Sequence, residues 1–235
     1  MMHFRDIVFS YGNHPIINNL SLTIGNSEIV SVLGKSGSGK TTLLKLAVGL
    51  LKASSGSIEI DGGYEYLSQS ENLFSYLTAK ENLLLPLRIG RARNVDDTRL
   101  TEILQSFDFR PEDLAKFPHQ MSGGMQQKIL FMRVFLLNGI TNFLLDEPYT
   151  AIDEAAKKSI ASFMWQAFHS IQASVLIVTH DIEQAISQSD RIIIIKDGGM
   201  NEIVIPAELA RLPPSERTKC PIFKDALIKV MEALR

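Results

Sequence analysis

The apolar positions of this chain change their spacing three times along its length. Over the first 33 residues, short apolar stretches predict strands at 4–10, 20–24 and 28–33, separated by turn residues at Gly12-Asn13 and Gly25-Asn26. The run Ile29-Val30-Ser31-Val32-Leu33 then gives way to a glycine-rich loop and the helix-forming segment 42–47. Ser54-Ser55-Gly56 reads as a turn before a strand at 57–60, and Asp61-Gly62-Gly63 as a turn into another at 64–68, so the start is expected to be partly antiparallel. Thr78-Ala79-Lys80-Glu81 is a capping box opening a helix. Further helical segments at about 96–107 and 124–137 make residues 76–137 a mostly α insertion. From Thr141 strand and helix alternate: strand 142–146, helix 154–172, strand 174–179, helix 181–188, strand 191–196. Strands as uniformly apolar as Val175-Leu176-Ile177-Val178 and Ile192-Ile193-Ile194-Ile195 suit a sheet covered on both faces. The expectation is an α/β domain over 1–205, then a tail over 206–235 carrying an amphipathic helix.

Composition narrows the function classes. At 235 residues and 45% hydrophobic, the chain has ample material for a core. A net charge of −2 and a pI near 6.2, with Lys and Arg scattered, give no electrostatic footprint for nucleic acid. Cys220 is the only cysteine, which leaves no intrachain disulfide and no cysteine-based zinc cluster and suits a reducing compartment. The start MMHFRD has no apolar core for secretion, and no run approaches the ~18 apolar residues that span a bilayer. A soluble, cytoplasmic chain is expected, with docking onto a membrane protein left open.

Chemistry is concentrated in a few stretches. Gly34-Lys35-Ser36-Gly37-Ser38-Gly39-Lys40-Thr41 fits GxxxxGK[ST] between a strand and a helix. Glycines at such spacing let backbone N–H groups converge on an anion, and the helix behind adds its dipole. Lys40 would then reach the β- and γ-phosphates of a nucleotide and the Thr41 hydroxyl would hold Mg²⁺, with Thr42 beside it. The plainer reading is a flexible Gly/Ser turn. The run 143–147 is an apolar strand ending in two carboxylates; Asp146 would hold the metal shell and Glu147 would orient or deprotonate the attacking water. His180 closes a strand in the same way and is a candidate donor to a γ-phosphate, or else a structural donor or cap. Ser122-Gly123-Gly124 opens an apolar helix, which makes a second anion-binding helix start some 80 residues after the first, unless it is ordinary capping.

Taken together, GKSGSGKT, Gln69, SGG at 122–124, LLDEP at 144–148, Asp153 in TAID and His180 in VTHD resemble, in order and approximate spacing, the nucleotide-binding subunit of an ATP-binding cassette transporter. The resemblance covers residues 1–200. It implies a P-loop NTPase core with a mostly parallel sheet, an N-terminal antiparallel β subdomain and an inserted α-helical subdomain. It also implies ATP and Mg²⁺ as ligands and dimerisation around two ATP molecules, with a like or unlike subunit. An integral membrane permease and an extracytoplasmic solute-binding protein are the implied partners, with the chain itself cytoplasmic and peripheral at the inner face of the cell membrane. By the same resemblance Tyr11 stacks on adenine, Gln69 senses the ligand and contacts Mg²⁺ or water, and Asp153 lies at the dimer seam. Plainer readings are a turn aromatic for Tyr11, a solvated strand end for Gln69 and a helix N-cap for Asp153, the last compatible with the seam. PHQMSGGM (118–125), LTAKENLLLPL (77–87) and the tail 216–234 are similar to the nitrate, sulfonate and taurine importer branch. The short 57–69 connection and Tyr149-Thr150 after DEP depart from it. Leu73, Phe74, Tyr76 and Leu77 are expected to line a groove for the permease, or to pack within the insertion. A P-loop kinase or metabolic NTPase would leave SGG and His180 unexplained; a soluble cassette ATPase of repair or translation would carry coiled-coil insertions or two fused cassettes.

Overall fold

The computed structural model describes residues 1–68, 73–89, 97–137, 139–150, 152–196 and 199–235, without the side chains of Arg99 and Ala155. Strands β1 (Met2–Tyr11) and β2 (His14–Ile24) form an antiparallel hairpin, β3 (Ile29–Leu33) leads into helix α1 (Lys40–Ala47), and β4 (Ser55–Ile60) returns to pair antiparallel with β1. Met2, Phe4, Ile7 and Phe9 of β1 and Ile17, Leu20, Leu22 and Ile24 of β2 are buried on one face. The alternation slips between Phe4 and Ile7, where Asp6 takes φ 51° and its carboxylate accepts from Ser21 Oγ at 2.9 Å. Opposite this bulge sits Gly56, whose Cβ would lie 2.4 Å from the Arg5 carbonyl oxygen, so no side chain fits there. β2 begins six residues before the predicted strand at 20–24. Asn18-Asn19 interrupts the alternation, and Asn19 sits at φ 54°.

The second sheet contains β5 (Gly63–Leu67), β6 (Ile140–Asp146), β7 (Ser174–Val178), β8 (Arg191–Lys196) and β9 (Gly199–Val204), in the order β5-β6-β7-β3-β8-β9. β3 pairs parallel with β7 and β8, and β6 parallel with β7; β9 is antiparallel to β8. Two expectations are corrected. The strand predicted at 64–68 belongs to this sheet rather than to the antiparallel start, because the buried Asn142 amide donates to the Asp61 and Gly63 carbonyls at 2.7 and 3.1 Å and fastens the preceding turn to β6. β9 has no counterpart among the expected strands, since only Ile203 of its six residues is buried and the apolar signal is absent. Along β8 the isoleucines divide the core. Ile193 and Ile195 face a cluster with Leu43, Leu44 and Leu46 of α1, while Ile192 and Ile194 face the opposite side.

The chain divides into two compact units, one of residues 1–69, 141–148 and 164–235, the other of 70–140 and 149–163. In the second unit lie α2 (Ala79–Leu83), α3 (Leu85–Arg88), α4 (Asp97–Ser106), α5 (Gly123–Val134) and the first part of α6 (Glu154–Ser170). α5 stops at Val134, short of the expected 137. The interior of this unit is aromatic: Phe107 lies 4.9 Å from Phe163 and 6.4 Å from Phe131, and Tyr149 packs 5.5 Å from Phe131. Thr78 and Glu81 form the expected capping box. Buried Asn82 holds the loop before it, accepting from Phe74 N and donating to the Phe74 and Leu77 carbonyls. Leu73 turns inward, whereas Phe74 and Tyr76 stay exposed, their rings 5.7 Å apart.

In the first unit, α7 (Ile182–Gln188), α8 (Ala207–Ala210), α9 (Pro214–Arg217) and α10 (Ile222–Leu234) cover the other face of the sheet. Phe223, Ala226 and Val230 of α10 join Ile192 and Ile194 in that cluster. The fully buried Arg217 donates to the carbonyls of Ile186, Ser189 and Leu212, and burial pushes its pKa down to about 10. The expected tail over 206–235 is therefore built into the same unit as the sheet.

Candidate nucleotide site

Loop 34–39 leaves β3 at its carboxyl end and delivers α1. Gly34 has no room for a side chain, since a Cβ would lie 2.5 Å from Ser38 Oγ and 2.6 Å from the Ile195 carbonyl oxygen. Gly39 caps α1 at φ 96°, with Ile16 packed against it. No side chain caps this helix start and no acidic residue lies in its first turn, so its N–H groups and positive dipole end stay available to an anion. Lys40, only 8% exposed, donates from Nζ to the carbonyls of Gly34 and Lys35 at 2.9 and 3.0 Å. Burial lowers its pKa, against the pull of Glu147 and Asp146.

The carboxylates come from β6. Asp146, 2% exposed, accepts from Thr41 Oγ1 at 3.1 Å. Burial raises its pKa; the Thr41 hydrogen bond opposes this and the Glu147 charge adds to it. Glu147 follows at φ 49°, a strained conformation for a side-chain-bearing residue, with its N–H bonded to the Val178 carbonyl at 2.9 Å. That conformation turns its carboxylate to His180, whose Nδ1 lies 2.9 Å from both carboxylate oxygens. A cleft of about 540 Å³ gathers these groups: Tyr11, Ile16, Ser36, Gly37, Lys40, Thr41, Thr42, Glu147 and His180 all line it, with Gly39. Tyr11 is 48% exposed and stands edge-on to Phe9 at 4.8 Å.

The donor set fits a nucleotide with Mg²⁺. The 3.1 Å between Thr41 Oγ1 and Asp146 Oδ1 is close to the spacing of neighbouring ligands in an octahedral Mg²⁺ shell, about 3 Å at a metal–oxygen distance near 2.1 Å. Ser38 Oγ is buried and without a hydrogen-bond partner inside the loop. Gly34, Lys35 and Ser38 shape the loop without lining the cleft. Ser122, Gly123, Gly124 and Asp153 belong to the other compact unit, where Ser122 Oγ caps α5 through Met125 N at 3.2 Å and Asp153 Oδ1 accepts from Ala156 N at 2.9 Å, the plainer role foreseen for each. Gln69 lies outside the described residues. Ile16 is not among the residues that the sequence singles out, because it lies between the expected strands at 4–10 and 20–24; the β-branched pair Ile16-Ile17 is the available signal.

The raised pKa of Asp146 carries a stability consequence. A carboxyl held up by burial weakens the fold progressively as pH rises above the ordinary 3.8 through its raised value, and the whole cost applies above it. Asp146→Asn should therefore raise the melting temperature without nucleotide, by about 2–4 °C, and abolish the further rise that Mg²⁺ adds to ATP. Scanning fluorimetry checks both; an intact Mg²⁺ effect would remove Asp146 from the metal shell.

The family model for ABC transporters matches residues 17–150. A glycine betaine/carnitine/choline transport ATP-binding protein of Bacillus subtilis is 32% identical over 93% of this chain, which spans only 61% of that relative's length. A formylaminopyrimidine import ATP-binding protein of Halalkalibacterium halodurans is 34% identical over 90% of this chain and 87% of its own. The solved dimer of an ATP-binding cassette in a post-hydrolysis state with ADP and Pi superposes at a TM-score of 0.77, with 27% identity over 88% of this chain and 100% of that one.

Proposed function

The chain belongs to the ABC transporter family, and from that premise we propose that it binds and hydrolyses ATP to energise solute import through a separate membrane permease. One observation supports this above the others: Lys40, Thr41 and the Glu147–His180 pair line one cleft at the carboxyl ends of β3, β6 and β7, with Asp146 hydrogen-bonded to Thr41. Lys40 and the α1 N–H groups hold the phosphates, and Tyr11 with Ile16 offers an apolar seat for the base. Thr41 and Asp146 would hold Mg²⁺, and the ion would supply positive charge against the phosphates there. Glu147 accepts a proton from the attacking water while the His180 Nδ1–H fixes its carboxylate. With Nδ1 so engaged, the neutral ring has no proton on Nε2, so His180 donates to a phosphate only as imidazolium. Gln69 is proposed to contact the metal or the water.

The similar cassette solved as a dimer supports a two-chain assembly in which Ser122, Gly123 and Gly124 of one copy cover the γ-phosphate held by the other, with Asp153 at the seam. The partner copy is like or unlike. Hydrolysis should then rise more than linearly with protein concentration, and Ser122→Arg should cut the rate by about tenfold or more while ATP affinity holds. A rate strictly proportional to concentration, or unchanged cooperativity in Ser122→Arg, would overturn the composite site.

Exposed Phe74 and Tyr76, presented by the Asn82-anchored loop, are the proposed contact with the permease. No helix of the described residues is long and apolar enough to cross a membrane; attachment at the inner face through the permease, with an extracytoplasmic solute-binding protein delivering cargo, belongs to the proposal. The relatives are named for betaine and choline, a formylaminopyrimidine and, in Haemophilus influenzae, spermidine and putrescine. These names support a small solute and do not single out nitrate, sulfonate or taurine, which rests on the 118–125 and 77–87 motifs and the 216–234 tail.

A further inference from the structure

Beside the nucleotide cleft lies a second cavity of about 400 Å³, a volume within the range of small-molecule sites, about 300–1,000 Å³. It shares Ile16, Ser36 and Gly37 with the cleft, but its remaining walls have different origins. The end of β8 contributes Ile195 and Lys196, and the last turn of α10 contributes Leu234. Two cations, Lys35 and Lys196, border it, and no carboxylate occurs among its described lining residues. Of the other large lining residues, Pro15, Ile16 and Leu234 are apolar and at least partly exposed, while Ile194 and Ile195 are buried at the end of β8.

An apolar wall with two lysines at its border suits one chemical class. We infer that this cavity binds a small amphipathic anion, a compact apolar body carrying one carboxylate, sulfonate or phosphate. The apolar body lies against Pro15, Ile16 and Leu234, and the charged group meets Lys35 and Lys196. Phosphate alone is a poor match because it would leave the apolar wall uncovered. The neighbouring loop feels the occupant through Ser36 and Gly37, which form a common wall with the nucleotide cleft. α10 thereby gains a purpose beyond packing: its anchors Phe223, Ala226 and Val230 in the core hold Leu234 at the edge of the phosphate loop. By linkage, whatever the anion does to ATP affinity, ATP does to anion affinity.

The test uses the full chain and 1-anilinonaphthalene-8-sulfonate, an aromatic sulfonate whose fluorescence rises in apolar sites, titrated without nucleotide. Saturable binding at one site per chain is expected. Lys196→Glu, which reverses an exposed charge, and Leu234→Trp, which fills the cavity, should each weaken it about tenfold or more, with ATP affinity by calorimetry unchanged within about twofold. Octanoate should displace the probe and inorganic sulfate at equal concentration should not. Mg²⁺ with ATP should shift probe affinity by about fivefold. Undiminished probe binding in Lys196→Glu overturns the site even if Leu234→Trp fails to fold. Displacement by sulfate as effective as by octanoate overturns the amphipathic class, and no shift with ATP overturns the coupling. Because the probe is read without nucleotide, its binding stands or falls apart from the ATPase reading.

Discussion

Glu147→Gln should bind ATP as the natural chain does and hydrolyse it about 10²–10⁴-fold more slowly. The substitution is isosteric. An amide oxygen still accepts from His180 Nδ1, and the backbone at φ 49° is asked of a residue of the same shape, so the cleft should keep its form. What is lost is the basic oxygen that takes the proton from water, while the phosphate loop and Lys40 continue to hold the nucleotide. Turnover should fall without a matching loss of affinity. Single-turnover hydrolysis beside calorimetric ATP binding separates the two, and ATP-loaded protein should accumulate as a dimer on a sizing column. Near-normal turnover would place the base elsewhere, with His180 next to be tried.

The second large effect is expected at Lys40. Lys40→Ala removes the ammonium that the loop carbonyls of Gly34 and Lys35 hold at the mouth of α1. A charge-assisted contact to phosphate is worth about 2–3 kcal/mol, so ATP affinity should fall about 30- to 150-fold. Misfolding is not the expected cause. Burial disfavours the charged amine, so the fold bears a cost for Lys40 that alanine relieves, offsetting two lost hydrogen bonds to carbonyls. The melting temperature without nucleotide should therefore change little while the ATP-induced rise disappears. Unchanged affinity in a folded Lys40→Ala chain would sink the phosphate-loop assignment.

The strands of the large sheet were readable wherever burial on both faces demands unbroken apolar residues. β3, β7 and β8 are buried almost throughout and coincide within a residue with the segments read from their Val, Ile and Leu content. The edge strands β9 and β2 send no such signal, so β9 and the first half of β2 have no counterpart among the expected strands. The candidate site residues stand out by spacing because each of Thr41, Asp146, Glu147 and His180 stands at or just beyond the end of a core strand or at the start of α1, where local pattern and chemistry coincide.

Residue types and spacing along the chain determined the phosphate loop, the order of the core strands and helices, the capping roles of Thr78 and Asp153, and the polar groups at the strand ends. These depend on interactions a few residues long, or on burial that every residue of a strand shares. Tertiary structure alone decided that β5 lies beside β6, that Asp146 Oδ1 meets the Thr41 hydroxyl across 105 positions, and that Arg217 donates to the Ile186 and Ser189 carbonyls 31 and 28 positions away. It also decided that the end of α10 reaches the phosphate loop to close a second cavity. Each of these contacts joins residues far apart in the chain, and their partners are chosen by how apolar faces stack against one another, a choice that no local pattern records.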